Sequence, residues 1–298
     1  MTRRGLVLFV AMSLIWGIPY LLIKIAVREL TPASLVLCRT ALGALVLLPF
    51  AISGRHLRPL LPHWRMLALY SIVEITIPWL LLGHAEQKLT SSLTGLLVAT
   101  VPLVGAVIAR FTGDHERFHA RRALGLLVGL AGVAALVGLD LDQIDLPSVG
   151  LVFGVAVCYA VGPWILSHKL SDAPPLGVVT ASLLLTAAIY LPMGVAQLPG
   201  YWPSTEVVAS VVTLALVCTA LAFVLFLALI AEVGPVRATV ITYVNPAVAV
   251  ALGVGLLGEP FTAGTAVGFV LVLAGSYLAT RRAPQARPVA AQALPAEA

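Results

Sequence analysis

Two ionisable side chains, Arg39 and Glu74, lie inside long apolar runs. A charge at that depth of an apolar segment is costly, and it marks a ligand site, a relay or a buried pair. A guanidinium offers a planar fork of donors that fits a carboxylate. A carboxylate accepts hydrogen bonds from an amine, or carries a proton. On this chemistry Arg39 takes an anionic group of a ligand and Glu74 an amine or a proton; the alternative is a structural pair that fixes helix packing. At a rise of about 1.5 Å per residue, Arg39 lies ~9 Å and Glu74 ~14 Å below the same ends of their segments. A long arginine spans that difference, so the expectation is one shared cavity and a pair. Aromatic and amide groups extend the set. Trp16 and Tyr20 are four residues apart, as are Trp164 and His168, which places each pair on one helix face. Tyr243 and Asn245 flank a break in an apolar run, where freed carbonyls need donors, and Trp79 follows Pro78. Arg39, Glu74, Trp16, Tyr20, Tyr243 and Asn245 form the candidate binding set. For the aromatic residues, packing or a membrane-interface belt is the competing role.

Three other patterns do not carry chemistry. His115-Glu116-Arg117-Phe118-His119 spells H-E-x-x-H, which on a helix would bind zinc. It falls in a short polar connector, and the matching stretch Gly258-Glu259-Pro260-Phe261-Thr262 keeps only the glutamate, so no metal site is expected. Gly253 to Gly258 spells G-x-G-x-x-G but closes an apolar segment and follows no strand, so it is packing glycine. Cys38, Cys158 and Cys218 lie inside apolar runs without C-x-x-C spacing, which excludes a disulfide framework. There is no ATP-binding motif and no cofactor is expected.

The elements that must position these groups follow from composition. The 298 residues are 60% hydrophobic and only 10% charged, with a mean hydropathy of +1.03. Soluble domains carry about 25% charge, so most of this surface faces lipid. A membrane helix needs about 20 apolar residues. That length fits segments 6–26, 33–53, 65–83, 92–111, 122–139, 149–167, 175–196, 207–230, 236–257 and 263–280. Met1-Thr2-Arg3-Arg4 and the run after it lack a clear cleavage site and read as a retained first helix. The net charge of +5 does not indicate nucleic-acid binding, because the basic residues sit between segments as topology signals. With the N-terminus inside, Arg3, Arg4, Arg55, Arg58, Lys169, Arg281 and most other basic residues fall on one side. Lys24, Arg28, Lys88 and the acidic loop Asp140, Asp142 and Asp145 fall on the other. Both termini are therefore expected in the cytoplasm of a multi-pass cell-membrane protein, with a disordered tail over 283–298.

The chain is also written twice. Gly5-Leu6-Val7 returns as Gly150-Leu151-Val152, Lys24 as Lys169, Pro49 as Pro192, and Gly125 and Gly132 as Gly268 and Gly275. The repeats cover 5–139 and 149–280. Each holds five spans, an odd number, so the second copy is inserted upside down. That is the inverted-repeat plan of secondary transporters, with a site near the midplane where the repeats meet. Pro19 with Pro163, and Pro102 with Pro246, are expected to break segments one, six, four and nine near their middles. Pairs such as Gly125/Gly129 and Gly264/Gly268 suit close helix contact, within the chain or across a homodimer.

The doubled unit resembles the EamA-type transporters of the drug/metabolite transporter superfamily. Trp16-Gly17, Arg39, Glu116, Gly258-Glu259, the glycine-rich segments after them and Val244-Asn245-Pro246 carry the resemblance, over residues 5 to 280. His115 before Glu116 departs from the family's Gly-Glu pattern. The resemblance implies an all-α membrane permease of ten helices. Its cargo would be small metabolites, amino acids or drugs, moved by alternating access and expected to leave the cell. The competing readings are an accessory membrane subunit and a lipid-acting membrane enzyme. The enzyme would need a catalytic cluster in the loops, and Asp140, Asp142 and Asp145 have no histidine beside them.

Overall fold

In lipid, backbone donors and acceptors must be satisfied within the protein, and long apolar runs meet that demand by forming helices. A computed structural model describes residues 2–111, 120–138, 144–234 and 238–280. The H-E-x-x-H stretch with Glu116, Asp140 and Asp142, and the 283–298 tail lie outside the described residues. Among those residues the structure is all helical and contains no strand.

The first segment is two helices, α1 (Arg3–Ile15) and α2 (Pro19–Ala26). Helix α3 (Pro32–Ser53) follows, then α4 (Trp64–Ser71) and α5 (Ile77–Lys88), joined by a π turn at Ile72–Thr76. Helices α6 (Ser91–Val98), α7 (Val101–Phe111) and α8 (Ala120–Gly138) complete the first half. The second half holds α9 (Leu146–Lys169), α10 (Pro175–Ala196), α11 (Thr205–Ala215) and α12 (Ala222–Val233), the last two joined by a π turn at Leu216–Leu221. A 3-10 turn at Thr239–Tyr243 leads into α13 (Asn245–Leu257), and α14 (Ala263–Thr280) ends it. Among the described residues, eight helical stretches are long and apolar enough to cross a membrane, and Ala123–Val137 and Ala263–Ala279 are shorter apolar helices. Leucine, valine and phenylalanine side chains stand exposed along α1, α3, α8, α10 and α14, as lipid contact requires.

The expected proline breaks divide unevenly. The chain leaves the helix between Ile15 and Pro19, between Val98 and Val101 just before Pro102, and between the 3-10 turn and Asn245-Pro246. Pro163 does not break segment six, because α9 runs unbroken from Leu146 to Lys169. Proline's fixed φ suits a helix and it lacks only one backbone donor. A proline therefore ends a helix only where packing rewards the break.

The tightest packing joins helices from opposite halves, α8 with α14 and α3 with α10. Along α8 and α14 glycine is sterically required. A Cβ on Gly275 would lie 2.3 Å from the Gly129 nitrogen, and one on Gly125 2.4 Å from the Ala279 nitrogen. These glycines serve packing within the chain. Buried hydroxyls are satisfied locally or across the halves. Thr40 Oγ1 donates to Val36 O at 2.7 Å, Ser71 Oγ to Ser182 Oγ at 2.8 Å, and Tyr190 Oη to Thr76 O at 2.9 Å.

Candidate functional site

Arg39 is 7% exposed, about a third of the way along α3. Its guanidinium lies over the Trp79 ring, 3.6 Å from the centroid. Its Nε donates to Thr219 Oγ1 at 3.0 Å. The second-half π turn makes that partner available. Thr219 donates its own hydroxyl to Leu214 O at 2.8 Å, five residues back, so the oxygen lone pairs face Arg39. π turns of this kind mark functional positions often. Thr76, in the other π turn, likewise donates to Ser71 O at 3.1 Å and meets Thr186 Oγ1 at 2.8 Å. Around Arg39 stand Cys218, Tyr159, Glu86 and Tyr20, within electrostatic range. Tyr20 packs with Leu82, Val155 and Ala249, and Tyr159 touches both that group and the one holding Trp79. Among the described residues no carboxylate forms an ion pair with Arg39; the Arg28–Glu206 pair, 3.6 Å apart, is a surface contact.

Glu74 lies in the first π turn, inside a segment that runs to Lys88 and not to residue 83. Glu74 therefore sits about 21 Å from that end of its segment, and Arg39 about 10 Å from the start of α3. The expected pair does not form, because the added helix length carries the two charges apart. Glu74 Oε2 instead faces Gly162 of α9, where an added Cβ would collide with it, and has no hydrogen-bond partner among the described residues. Tyr159 is in electrostatic range of both charges.

The other candidates divide. Trp16 and Tyr20 do not share a face, since the helix is interrupted between them. Trp16 packs on Phe226 and Phe223 of α12, with centroids 4.6 and 6.1 Å away, while Tyr20 turns to the Arg39 side. Tyr243 reaches α14 and donates to Ser276 O at 3.3 Å. The Asn245 amide nitrogen lies 3.1 Å from Ser13 O and 2.9 Å from Ile241 O, in the orientation that satisfies both. Ser13 O is freed by the α1–α2 break, because the Gly17 and Ile18 amides bond to Leu14 O. Asn245 thus ties the two broken segments together. Trp164 and His168 stack with ring centroids 4.9 Å apart on the exposed end of α9. Two apolar grooves, at Val46, Phe50, Leu176 and Leu216 and at Val267 and Val270, are not lined by Arg39 or Glu74.

A second polar cluster, which sequence reasoning passed over, lies where α2, α5 and α13 end and α6 begins. Gly258, at φ 65, terminates α13 in the left-handed region and folds the chain back, with Glu259 N bonded to Gly253 O. Glu259 is thereby delivered to the start of α6. Its Oε1 accepts from Ser91 N at 2.7 Å, and its Oε2 from Ser92 N at 2.9 Å and Ser92 Oγ at 2.6 Å. Thr90 caps the next amide, Leu93 N, at 3.2 Å. Lys24 Nζ donates to Glu86 O and Leu89 O, both at 2.7 Å, at the carbonyl end of α5. The Glu86 carboxylate is fully buried, and among the described residues both of its oxygens lack hydrogen-bond partners. A third segment that ends at residue 83 would place Glu86 in a loop. The N-cap residue Thr90 before Ser91-Ser92 was the signal that the helix runs on to Lys88.

The profile of the EamA-like transporter family matches the chain twice, over residues 3–138 and 146–281. The chain is similar to the "Uncharacterized inner membrane transporter YedA" of Escherichia coli (strain K12), 29% identical over 281 residues and 90% of each chain. It is also similar to the "Threonine/homoserine exporter RhtA" of Salmonella typhimurium (strain SL1344), 28% identical over 248 residues, 75% of this chain and 83% of that one. A solved crystal structure shares the fold with a TM-score of 0.67 at 21% identity, covering 94% of this chain and 97% of the other. With both halves matched, the chain belongs to the EamA-like transporter family.

Proposed function

We propose that this protein is a secondary transporter that exports a small metabolite bearing an anionic group, with Arg39 as the seat of that group. The observation that carries the reading is a buried guanidinium held by Trp79 and Thr219, with no ion-paired carboxylate among the described residues, where the two halves meet. A desolvated cation held on its stem side, with its fork otherwise uncommitted, suits a carboxylate or phosphate. Similarity to proteins named as transporters, one of them an amino-acid exporter, supports transport and export. Tyr20 and Tyr159 line the approach, and Glu74 is a second polar station deeper along α9. Trp16, Tyr243 and Asn245 act on the moving parts: they pack or bond at the broken segments.

Alternating access of two inverted five-helix repeats fits this arrangement. Its support is the double family match, the breaks at both Pro102 and Pro246, the paired π turns, and the pairing of α3 with α10 and α8 with α14. Both termini then face the cytoplasm. The test is counterflow of labelled amino and organic acids into proteoliposomes. Uptake by the parent that disappears in Arg39→Gln, with Arg39→Lys retaining a part, is the expected result. Equal uptake by the parent and Arg39→Gln overturns the assignment.

A further inference from the structure

The cluster beside α6 contains two buried acids in opposite states. Glu259 receives three hydrogen bonds and is complete as a helix cap. Glu86 is 0% exposed and, among the described residues, receives none at either carboxylate oxygen. Its neighbour Lys24 does not complete it, since the ammonium bonds to the backbone oxygens of Glu86 and Leu89. The charged groups around Glu86 are Lys24 on α2, Glu259 after α13 and Arg39 on α3, with the Tyr20 hydroxyl also in range. Ser91 Oγ, at the start of α6, is a further buried atom without a partner. A buried ionised carboxylate without donors is unfavourable, and a bound molecule that brings donors relieves that cost. Along α5, Glu86 is seven residues beyond Trp79, so both occupy one face about 10 Å apart. Trp79 carries Arg39.

We infer that Glu86 binds a primary ammonium group of the transported molecule, whose anionic end sits on Arg39. The ammonium brings three donors and a positive charge to a carboxylate that accepts no hydrogen bond among the described residues. Ser91 Oγ is an additional acceptor at the same end. The substrate class is then zwitterionic, with a cationic and an anionic end, and neither simple amines nor simple carboxylates meet both requirements. This rests on the Arg39 seat of the proposed function and adds the second point of contact.

The experiment measures binding to the purified full-length protein by ligand-induced thermal stabilisation. The probes are the standard L-amino acids and short ω-amino acids, each beside its deaminated acid and its decarboxylated amine. At least one zwitterion is expected to raise the melting temperature, with its deaminated acid weaker by about tenfold or more, the size of one lost charge-assisted hydrogen bond. Glu86→Gln, nearly isosteric, is expected to bind the zwitterion and the deaminated acid alike. Glu86→Asp restores part of the preference, and this keeps the result interpretable if Glu86→Gln melts lower. A deaminated acid that binds the parent as well as the zwitterion does, lost in Arg39→Gln but not in Glu86→Gln, overturns the Glu86 inference and leaves the Arg39 seat standing. A parent that responds to none of the probes overturns it too, and zwitterion binding indifferent to Arg39→Gln defeats the Arg39 seat alone.

Discussion

Removing Glu259 is the sharpest test of how the bundle is held. Its carboxylate takes the amides of Ser91 and Ser92 and the Ser92 hydroxyl at 2.6 to 2.9 Å, from a position 9% exposed. Glu259→Ala leaves those donors buried beside a void. Hydrogen bonds to a charged group contribute about 1.5–3 kcal/mol each. They share one carboxylate and do not add fully, so the expected loss is about 3–5 kcal/mol, as for breaking other buried charged contacts. Glu259→Gln keeps one acceptor but turns an amide NH2 toward an N–H donor, and about 1–3 kcal/mol is lost. The assay is denaturant or thermal unfolding of the purified full-length protein in detergent. Glu206→Ala is the control: Glu206 pairs with Arg28 at the surface, with both side chains more than half exposed, and its loss is worth about 0–1 kcal/mol. A cycle with Ser92→Ala isolates the coupling, expected at about 0.5–3 kcal/mol. If Glu259→Ala costs no more than Glu206→Ala, the carboxylate is not the cap of α6 and the argument for the second cluster fails with it.

Other perturbations follow the same geometry. Gly275→Val drives a side chain into the Gly129 backbone, 2.3 Å from the new Cβ, and should abolish the folded monodisperse species seen by size-exclusion chromatography. Asn245→Leu removes the donors to Ser13 O and Ile241 O and should lower stability by about 1–3 kcal/mol in the same unfolding assay. Pro163→Ala should leave the melting temperature unchanged or raise it, because α9 is already continuous there and alanine restores a backbone donor. Hydrogen bonding from Ser148, side chain first and backbone second, holds the Asp145 carboxyl below its ordinary value. Its contribution to α9 is present above the unfolded-state pKa and lost as the pH falls through the lower folded-state pKa. Asp145→Asn should therefore flatten the acid limb of a melting-temperature profile, and an unchanged limb would show that the cap does not titrate with folding.

The helical bundle was legible in the sequence because lipid leaves the backbone few options: apolar runs of membrane length become helices. The breaks at Pro102 and Pro246 were legible for a related reason, since each proline follows residues that other groups can tie down, Ala99 by Ser276 Oγ and Ile241 by Asn245. Pro163 misled because proline chemistry permits a break without requiring one. The site was harder to read. Arg39 stood out as a charge in an apolar run, but its setting over Trp79 depends on how α5 packs against α3, which no local spacing encodes. The distance from Arg39 to Glu74 depended on the end of α5, and five residues of helix beyond residue 83 separated them. Trp16 and Tyr20 parted because helical spacing predicts a shared face only where the helix is continuous.

The matched positions point to a division of labour. At the offset of 143 residues that relates Gly125 to Gly268, the threonine of one π turn, Thr76, falls on the threonine of the other, Thr219, and Pro49 falls on Pro192. Three charged groups inside the segments do not repeat at this offset. Arg39 falls on Ser182, Glu74 on Val217 and Glu86 on Leu229. Ser182 bonds to Ser71, and Leu229 is packed in an apolar core. The duplicated residues are those that shape helices: glycines at close crossings, prolines, and threonines at π turns. The unique residues are those that could hold a ligand. On the proposed function, the scaffold written twice would rock between two related arrangements, while the charge set written once would bind a ligand with a fixed polarity. A second arginine, introduced as Ser182→Arg, would therefore face Ser71 in place of a tryptophan platform, and would disturb the α4–α10 contact without creating a second seat.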